Sequence, residues 1–172
     1  MAKVTFDGNK VNTIGDLPEA GENAPDFILT KTDLSDVSLK ALLGKKLILN
    51  IFPSLDTPVC ATSVRRFNEA ANDLEDTIVL TISKDLPFAH ARFCEHHGLN
   101  NVIPLSELRY DMFGTNYGVR IADGALAGLF SRAVVVIDEH GKVIYTEQVS
   151  EIAHEPDYEA ALQAAGVKQT QV

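Results

Sequence analysis

The stretch Leu47-Ile48-Leu49-Asn50-Ile51-Phe52-Pro53-Ser54-Leu55-Asp56-Thr57-Pro58-Val59-Cys60 decides the fold. Leu47 to Phe52 is an almost continuous apolar run, which suits a central strand covered on both faces. Beyond it, Val64, Phe67, Ala71 and Leu74 recur at three- and four-residue steps and predict a helix from about Val59 to Leu74. Cys60 therefore stands at a strand-to-helix turn. The partial positive charge of a helix N-terminus favours thiolate over thiol there. The competing reading is a buried, inert cysteine, a common fate of free cysteines. Three features oppose it. Cys60 lies near the helix start rather than within its apolar stripe. Thr57 can set a hydroxyl beside the sulfur. Pro53 and Pro58 stiffen the approach and remove backbone donors that would need partners.

Outward from this segment, strands and helices alternate. Val4 to Phe6, a turn through Asp7-Gly8-Asn9-Lys10, and Val11 read as a small N-terminal hairpin. Residues 15 to 26 read as a loop and Asp26 to Thr30 as a strand. Ser38 is an N-cap for a short helix, Leu39 to Leu43, ended by Gly44. Thr77 to Ser83 is a second buried strand. Phe88 to His97 is a helix stopped by Gly98, and Leu108 to Tyr117 a weaker helix within an irregular insert. Ala133 to Asp138 is a third strong strand, turned by Glu139-His140-Gly141 into a strand from Lys142 to Glu147. Pro156 opens a last helix through Ala165, followed by Gly166. The expected architecture is α/β: a central mixed sheet flanked by helices, with an N-terminal β-hairpin. The β-α-β then β-β-α order is that of the thioredoxin fold.

Bulk properties bound the function. A chain of 172 residues with 45% hydrophobic and 23% charged residues is expected to form one globular domain over 1–172. A net charge of −9 without a Lys/Arg cluster speaks against a nucleic-acid surface. No stretch approaches the ~20 apolar residues of a membrane span. The N-terminus carries no apolar signal segment, so the expected location is the cytoplasm, where a disulfide is catalytic or sensing rather than structural. There is no GxxxxGK[ST] phosphate loop, no GxSxG nucleophile elbow and no GxGxxG dinucleotide fingerprint.

Thr57-x-x-Cys60 has the spacing of a redox Cys-x-x-Cys whose first cysteine is replaced by threonine, so an intramolecular disulfide has to recruit a distant thiol. Cys94 is the other cysteine. Taken alone, Cys94 reads as a core residue on a helix face. Its bonding to Cys60 would need the Cα atoms within about 7 Å, which local unwinding of one or both helices can provide. His90 and Cys94, four apart and followed by His96 and His97, invite a metal reading, but no second Cys or His pair completes a tetrahedral set. A thioredoxin-like disulfide oxidoreductase is a second enzyme reading, opposed by the missing Cys-x-x-Cys and by the lack of a proline before Ala133. A peroxide sensor would use the same cysteines.

Pro53-x-x-x-Thr57-x-x-Cys60 is similar to the active-site motif of the peroxiredoxins. Together with Asp85-Leu-Pro-Phe-Ala-His-Ala-Arg-Phe-Cys94, Tyr117-Gly-Val-Arg-Ile-Ala-Asp-Gly124 and Ser131-Arg-Ala-Val-Val-Val-Ile-Asp138, the chain resembles the bacterial thiol peroxidases, the atypical two-cysteine peroxiredoxins. The resemblance runs from the N-terminal hairpin to the final helix. It implies a thiol-dependent peroxidase for hydrogen peroxide and alkyl hydroperoxides, needing no cofactor or metal. Cys60 is then the peroxidatic cysteine and Cys94 the resolving cysteine of the same chain. Thr57 is implied to hydrogen-bond the thiolate and the peroxide, Pro53 to shield the sulfur, and Arg132 to reach back to the thiolate. Read from sequence alone, Arg132 would be an exposed arginine, and Arg65 and Arg66 solvated or interfacial. The resemblance further implies recycling by thioredoxin and a homodimer.

Overall fold

The computed structural model describes residues 1–74 and 76–166. A hairpin of β1 (Lys3–Phe6) and β2 (Asn9–Asn12) is followed by β3 (Ile28–Lys31), β4 (Asp36–Ser38), α1 (Leu39–Leu42), β5 (Lys46–Ile51) and α2 (Pro58–Ala71). Next come β6 (Thr77–Ser83), α3 (Pro87–His97), β7 (Val102–Ser106), α4 (Met112–Asn116), β8 (Ala133–Ile137), β9 (Val143–Gln148) and α5 (Tyr158–Ala164). Seven strands form one mixed sheet in the order β4-β3-β7-β6-β5-β8-β9, and β1-β2 form a separate pair. β5, β6 and β7 run parallel, while β8 pairs antiparallel with both β5 and β9. This is the expected mixed sheet with flanking helices. The expected single domain, 1–172, reaches into residues 167–172, which lie outside the described residues.

Side-chain alternation explains the layering. Leu47, Leu49 and Ile51 of β5 join one core with Phe27, Phe113, Tyr117 and Phe130, while Ile48 and Phe52 join the other with Val64, Phe67 and Tyr158. Both faces of β5 are covered, which is why the sequence there is nearly continuous in apolar residues. Cys60 belongs to the second core, on the face carrying α2 and α5, and Cys94 packs against the same core. The parallel pair β5–β6 sends α2 and α3 off the same end of the sheet.

Turn chemistry is as the sequence predicts. Asp7 and Gly8 both have positive φ, 50° and 83°, the geometry of a tight hairpin turn. Ser38 caps α1 by accepting from the Ala41 amide at 3.3 Å. Gly98 ends α3 in the left-handed region at φ 65°, with the Leu99 amide donating to the Cys94 carbonyl at 2.9 Å.

Two strands differ from expectation. β7 occupies the region read as an irregular insert, because Pro104 argues against a strand interior. It is tolerated here since β3 pairs only with Leu105 and Ser106, so Pro104 has a ladder partner, Thr81, on one side alone. β4 is three residues of edge strand, too short for a period to register. The helix expected over Leu108–Tyr117 is confined to Met112–Asn116.

Candidate active site

Cys60 is the third residue of α2, and its side chain has no exposed surface. Thr57 is the N-cap and Pro58 opens the helix, where a missing N–H costs nothing. A buried relay fixes the first turns. Asn50 Nδ2, near the end of β5, donates to Ser63 Oγ at 3.2 Å, and Ser63 Oγ donates to the Cys60 carbonyl at 2.8 Å. The one polar residue in the apolar run thus faces the reactive helix.

Arg132, immediately before β8, is also buried, at 2% exposure. Its Nη2 donates to Cys60 Sγ at 3.0 Å, across 72 positions of sequence. Its Nε donates to the Ile152 carbonyl at 2.7 Å, and its Nη1 is buried with no protein partner among the described residues. The carbonyl is held from below by the N-terminal hairpin. Ile152 N donates to Thr5 O and Thr5 N to Ser150 O, both at 2.8 Å. Glu151 accepts from Thr5 Oγ1, the Gly8 amide and the Ala153 amide. These bonds, the Ala153 amide foremost, hold its carboxyl below the usual range.

Pro53 is buried at the end of β5, where the chain turns toward Cys60. The Thr57 hydroxyl donates to the Ser54 carbonyl at 3.0 Å rather than to sulfur. Arg132, which the sequence alone reads as exposed, is buried against Cys60 instead, because β8 pairs with β5, while Thr57 and Pro53 lie close to Cys60 with the Thr57 hydrogen engaged elsewhere.

Cys94 lies in the last turn of α3, about 10 Å along the axis from the helix start. Both cysteines are free thiols. Cys94 is half-buried, and that burial pushes its thiol up from 9.0 to about 11. In this conformation it is a weak nucleophile. His90, one turn earlier, is buried. Burial lowers its ring from 6.5 to about 4, against the opposing pull of the Asp85 carboxylate. Ser83 Oγ donates to Asp85 Oδ2 at 2.6 Å and lies 3.0 Å from His90 Nε2. The hydroxyl hydrogen is thereby used, so the ring donates from Nε2 and Nδ1 is bare. His96 and His97 are exposed and meet edge to face at 4.8 Å. Arg65 is exposed, and Arg66 lies over the Tyr158 ring at 4.7 Å.

Sequence reasoning missed Asn50, Asp85 and the loop around Ile152. Asn50 could have been found as a polar interruption of a buried strand. The Ile152 carbonyl, a backbone group, leaves no mark in composition or period.

A thioredoxin-like sheet with a lone buried cysteine at a helix start, bonded to a buried arginine, defines the peroxiredoxin class of redox proteins. A family model described as Redoxin matches residues 19–162. A thiol peroxidase of Corynebacterium glutamicum is 56% identical over 164 residues, covering 95% of this chain and 99% of that one. A thiol peroxidase of Mycobacterium tuberculosis is 57% identical over 166 residues, covering 96% and 99%. A peroxiredoxin-like protein from Aquifex aeolicus superposes with a TM-score of 0.91 at 37% identity over 96% of each chain. A thiol peroxidase from Chromobacterium violaceum gives 0.87 at 26% identity over 95% of each. The chain belongs to the Redoxin family, among its thiol peroxidases, and is a thiol-dependent peroxidase. The hairpin β1–β2 precedes the stretch that the family model matches.

Proposed function

We propose that the protein reduces hydrogen peroxide and alkyl hydroperoxides through Cys60, resolves the product with Cys94, and is recycled by thioredoxin. The observation that carries the reading is the 3.0 Å contact of Arg132 Nη2 with Cys60 Sγ between two buried groups. A buried guanidinium without a counter-charge costs roughly 3–5 kcal/mol, and among the described residues no carboxylate pairs with Arg132. A Cys60 thiolate supplies the missing negative charge.

In the proposed cycle the thiolate attacks one oxygen of ROOH, the O–O bond breaks, and the departing alkoxide takes a proton to leave as ROH. Cys60 becomes the sulfenic acid. The free Nη1 of Arg132 donates to the peroxide while Nη2 holds the sulfur, so one planar fork spans both reacting atoms. Thr57 turns its hydroxyl from Ser54 toward the same oxygens, and Pro53 keeps water from the sulfur. Cys94 then attacks the sulfenic sulfur, water leaves, and a Cys60–Cys94 disulfide forms. Two electrons from a dithiol, thioredoxin in our reading, restore both thiols by exchange. A single domain working in the cytoplasm as a homodimer completes the proposal.

Thioredoxin-coupled NADPH consumption with cumene hydroperoxide tests it. Cys60→Ser should abolish activity, and Cys94→Ser should reduce about one peroxide per chain and then stall. Equal rates in the parent and Cys60→Ser would end this reading.

A further inference from the structure

The Asp85 carboxylate gathers three hydrogen bonds beside the Cys60 loop, and the proposed cycle leaves it unused. Asp85 lies between β6 and α3, one residue before the N-cap Leu86. Its Oδ1 accepts from Ser54 Oγ at 2.8 Å, and its Oδ2 accepts from the Leu55 amide at 2.9 Å and from Ser83 Oγ at 2.6 Å. Its own amide donates to Ser83 Oγ at 3.1 Å, and its carbonyl accepts from Ser106 Oγ at 2.5 Å. The carboxylate therefore ties the loop between β5 and α2 to the end of β6, and the backbone carbonyl adds the end of β7.

The bonds propagate in both directions. On one side, the Ser54 carbonyl accepts from the Thr57 amide at 3.2 Å and from the Thr57 hydroxyl, so Ser54 sets the N-cap of the helix that bears Cys60. On the other side, Ser83 is bonded to His90 in the second turn of α3, and His90 packs on Phe52 with ring centroids 6.5 Å apart. Cys94 lies one turn beyond His90 on the same helix.

We propose that Asp85 is a positioning residue with opposite effects on the two thiol steps: it clasps the Cys60 loop to the root of α3, favouring attack on peroxide and delaying disulfide closure. The inference rests on the peroxidase cycle proposed above. With the clasp made, the loop is held in the geometry that presents Cys60 to Arg132. With it released, the loop and α3 separate, Cys94 reaches Cys60–SOH, the new S–S bond forms, and the sulfenic oxygen leaves as water with the Cys94 proton. Ionic hydrogen bonds of this kind are the strong ones, so losing the carboxylate should move each step by about tenfold.

The experiment is a rapid-quench single turnover of reduced protein with cumene hydroperoxide. The Cys60 sulfenic acid is read as its dimedone adduct by mass, and the disulfide on the intact protein. Parent, Ser54→Ala, Asp85→Asn and Asp85→Ala are compared with Val135→Ala, a core change on the opposite face of the sheet. The expected result is that sulfenic acid forms about tenfold more slowly and converts to disulfide about tenfold faster in Asp85→Ala. Smaller shifts of the same signs are expected in Asp85→Asn and Ser54→Ala, and no such crossing in Val135→Ala. Should Asp85→Ala fail to fold, Ser54→Ala, which keeps the carboxylate, carries the test. If both steps slow together, or neither moves, while the parent still forms the Cys60–Cys94 disulfide, the clasp is overturned and the peroxidase reading stands. If the parent itself forms neither species, both fall.

Discussion

At the residue scale the chemistry turns on how a buried cation is fastened. Arg132 is held through Nε by the Ile152 carbonyl and spends Nη2 on sulfur, while Nη1 has no protein partner among the described residues and is the donor that the proposed cycle gives to peroxide. Arg132→Met should lower kcat/KM for hydroperoxide by about 10²–10³, the range for loss of one preorganised donor to a charged transition state. Arg132→Lys should recover only part, because an ammonium cannot bond Ile152 and sulfur together in one plane. Steady-state rates at saturating reductant read both. His90 makes a separate, testable demand on pH. Its ring is held near 4 when folded and titrates at about 6.5 when unfolded. Between those values the unfolded chain binds the extra proton, so the contribution is complete above pH 6.5 and lost as pH falls through 4. Urea midpoints at pH 7 and pH 5 should fall for the parent and fall less for His90→Gln. An equal fall in both would remove His90 from that account.

At the scale of elements, the strands were the most legible part. β5, β6 and β8 are apolar runs of strand length with turn residues at their ends, and each lies within a residue of its expected bounds. β7 was hidden by Pro104, whose acceptability depends on where β3 stops, and no local pattern reports that. The helix α3 is where structure and reaction diverge. It holds Cys94 half-buried, with its thiol near 11, and on a turn remote from the helix start. In the proposed cycle, opening of the last turn would release Cys94 from this packing. Gly98 is the stop that holds it, in a left-handed conformation that an alanine adopts at a cost of about 1 kcal/mol. The space beside Gly98 is open, so Gly98→Ala should fray that turn without a clash and speed disulfide formation about fivefold. Non-reducing mass analysis after rapid quench follows it.

At the scale of the whole molecule, the hairpin β1–β2 becomes part of the active site's support. It does not reach the sulfur. It bonds the loop whose carbonyl orients Arg132, through Thr5, Gly8 and Glu151. Glu151→Ala releases three accepted bonds and should lower the rate of peroxide attack several-fold while leaving the circular dichroism spectrum unchanged. Such long-range support was not legible in the sequence. Cys60, Thr57 and Pro53 announce themselves by close spacing, whereas Arg132 meets Cys60 only because β8 pairs antiparallel with β5, bringing Ala133 opposite Ile51. In the proposed cycle Cys60, set against Arg132, is the sulfur that meets peroxide first. The most direct test is peptide mapping of reduced Cys94→Ser after one equivalent of cumene hydroperoxide in the presence of dimedone. One adduct is expected, on Cys60, abolished in the Cys60→Ser, Cys94→Ser double variant. An unmodified Cys60 after the peroxide has been consumed would contradict it.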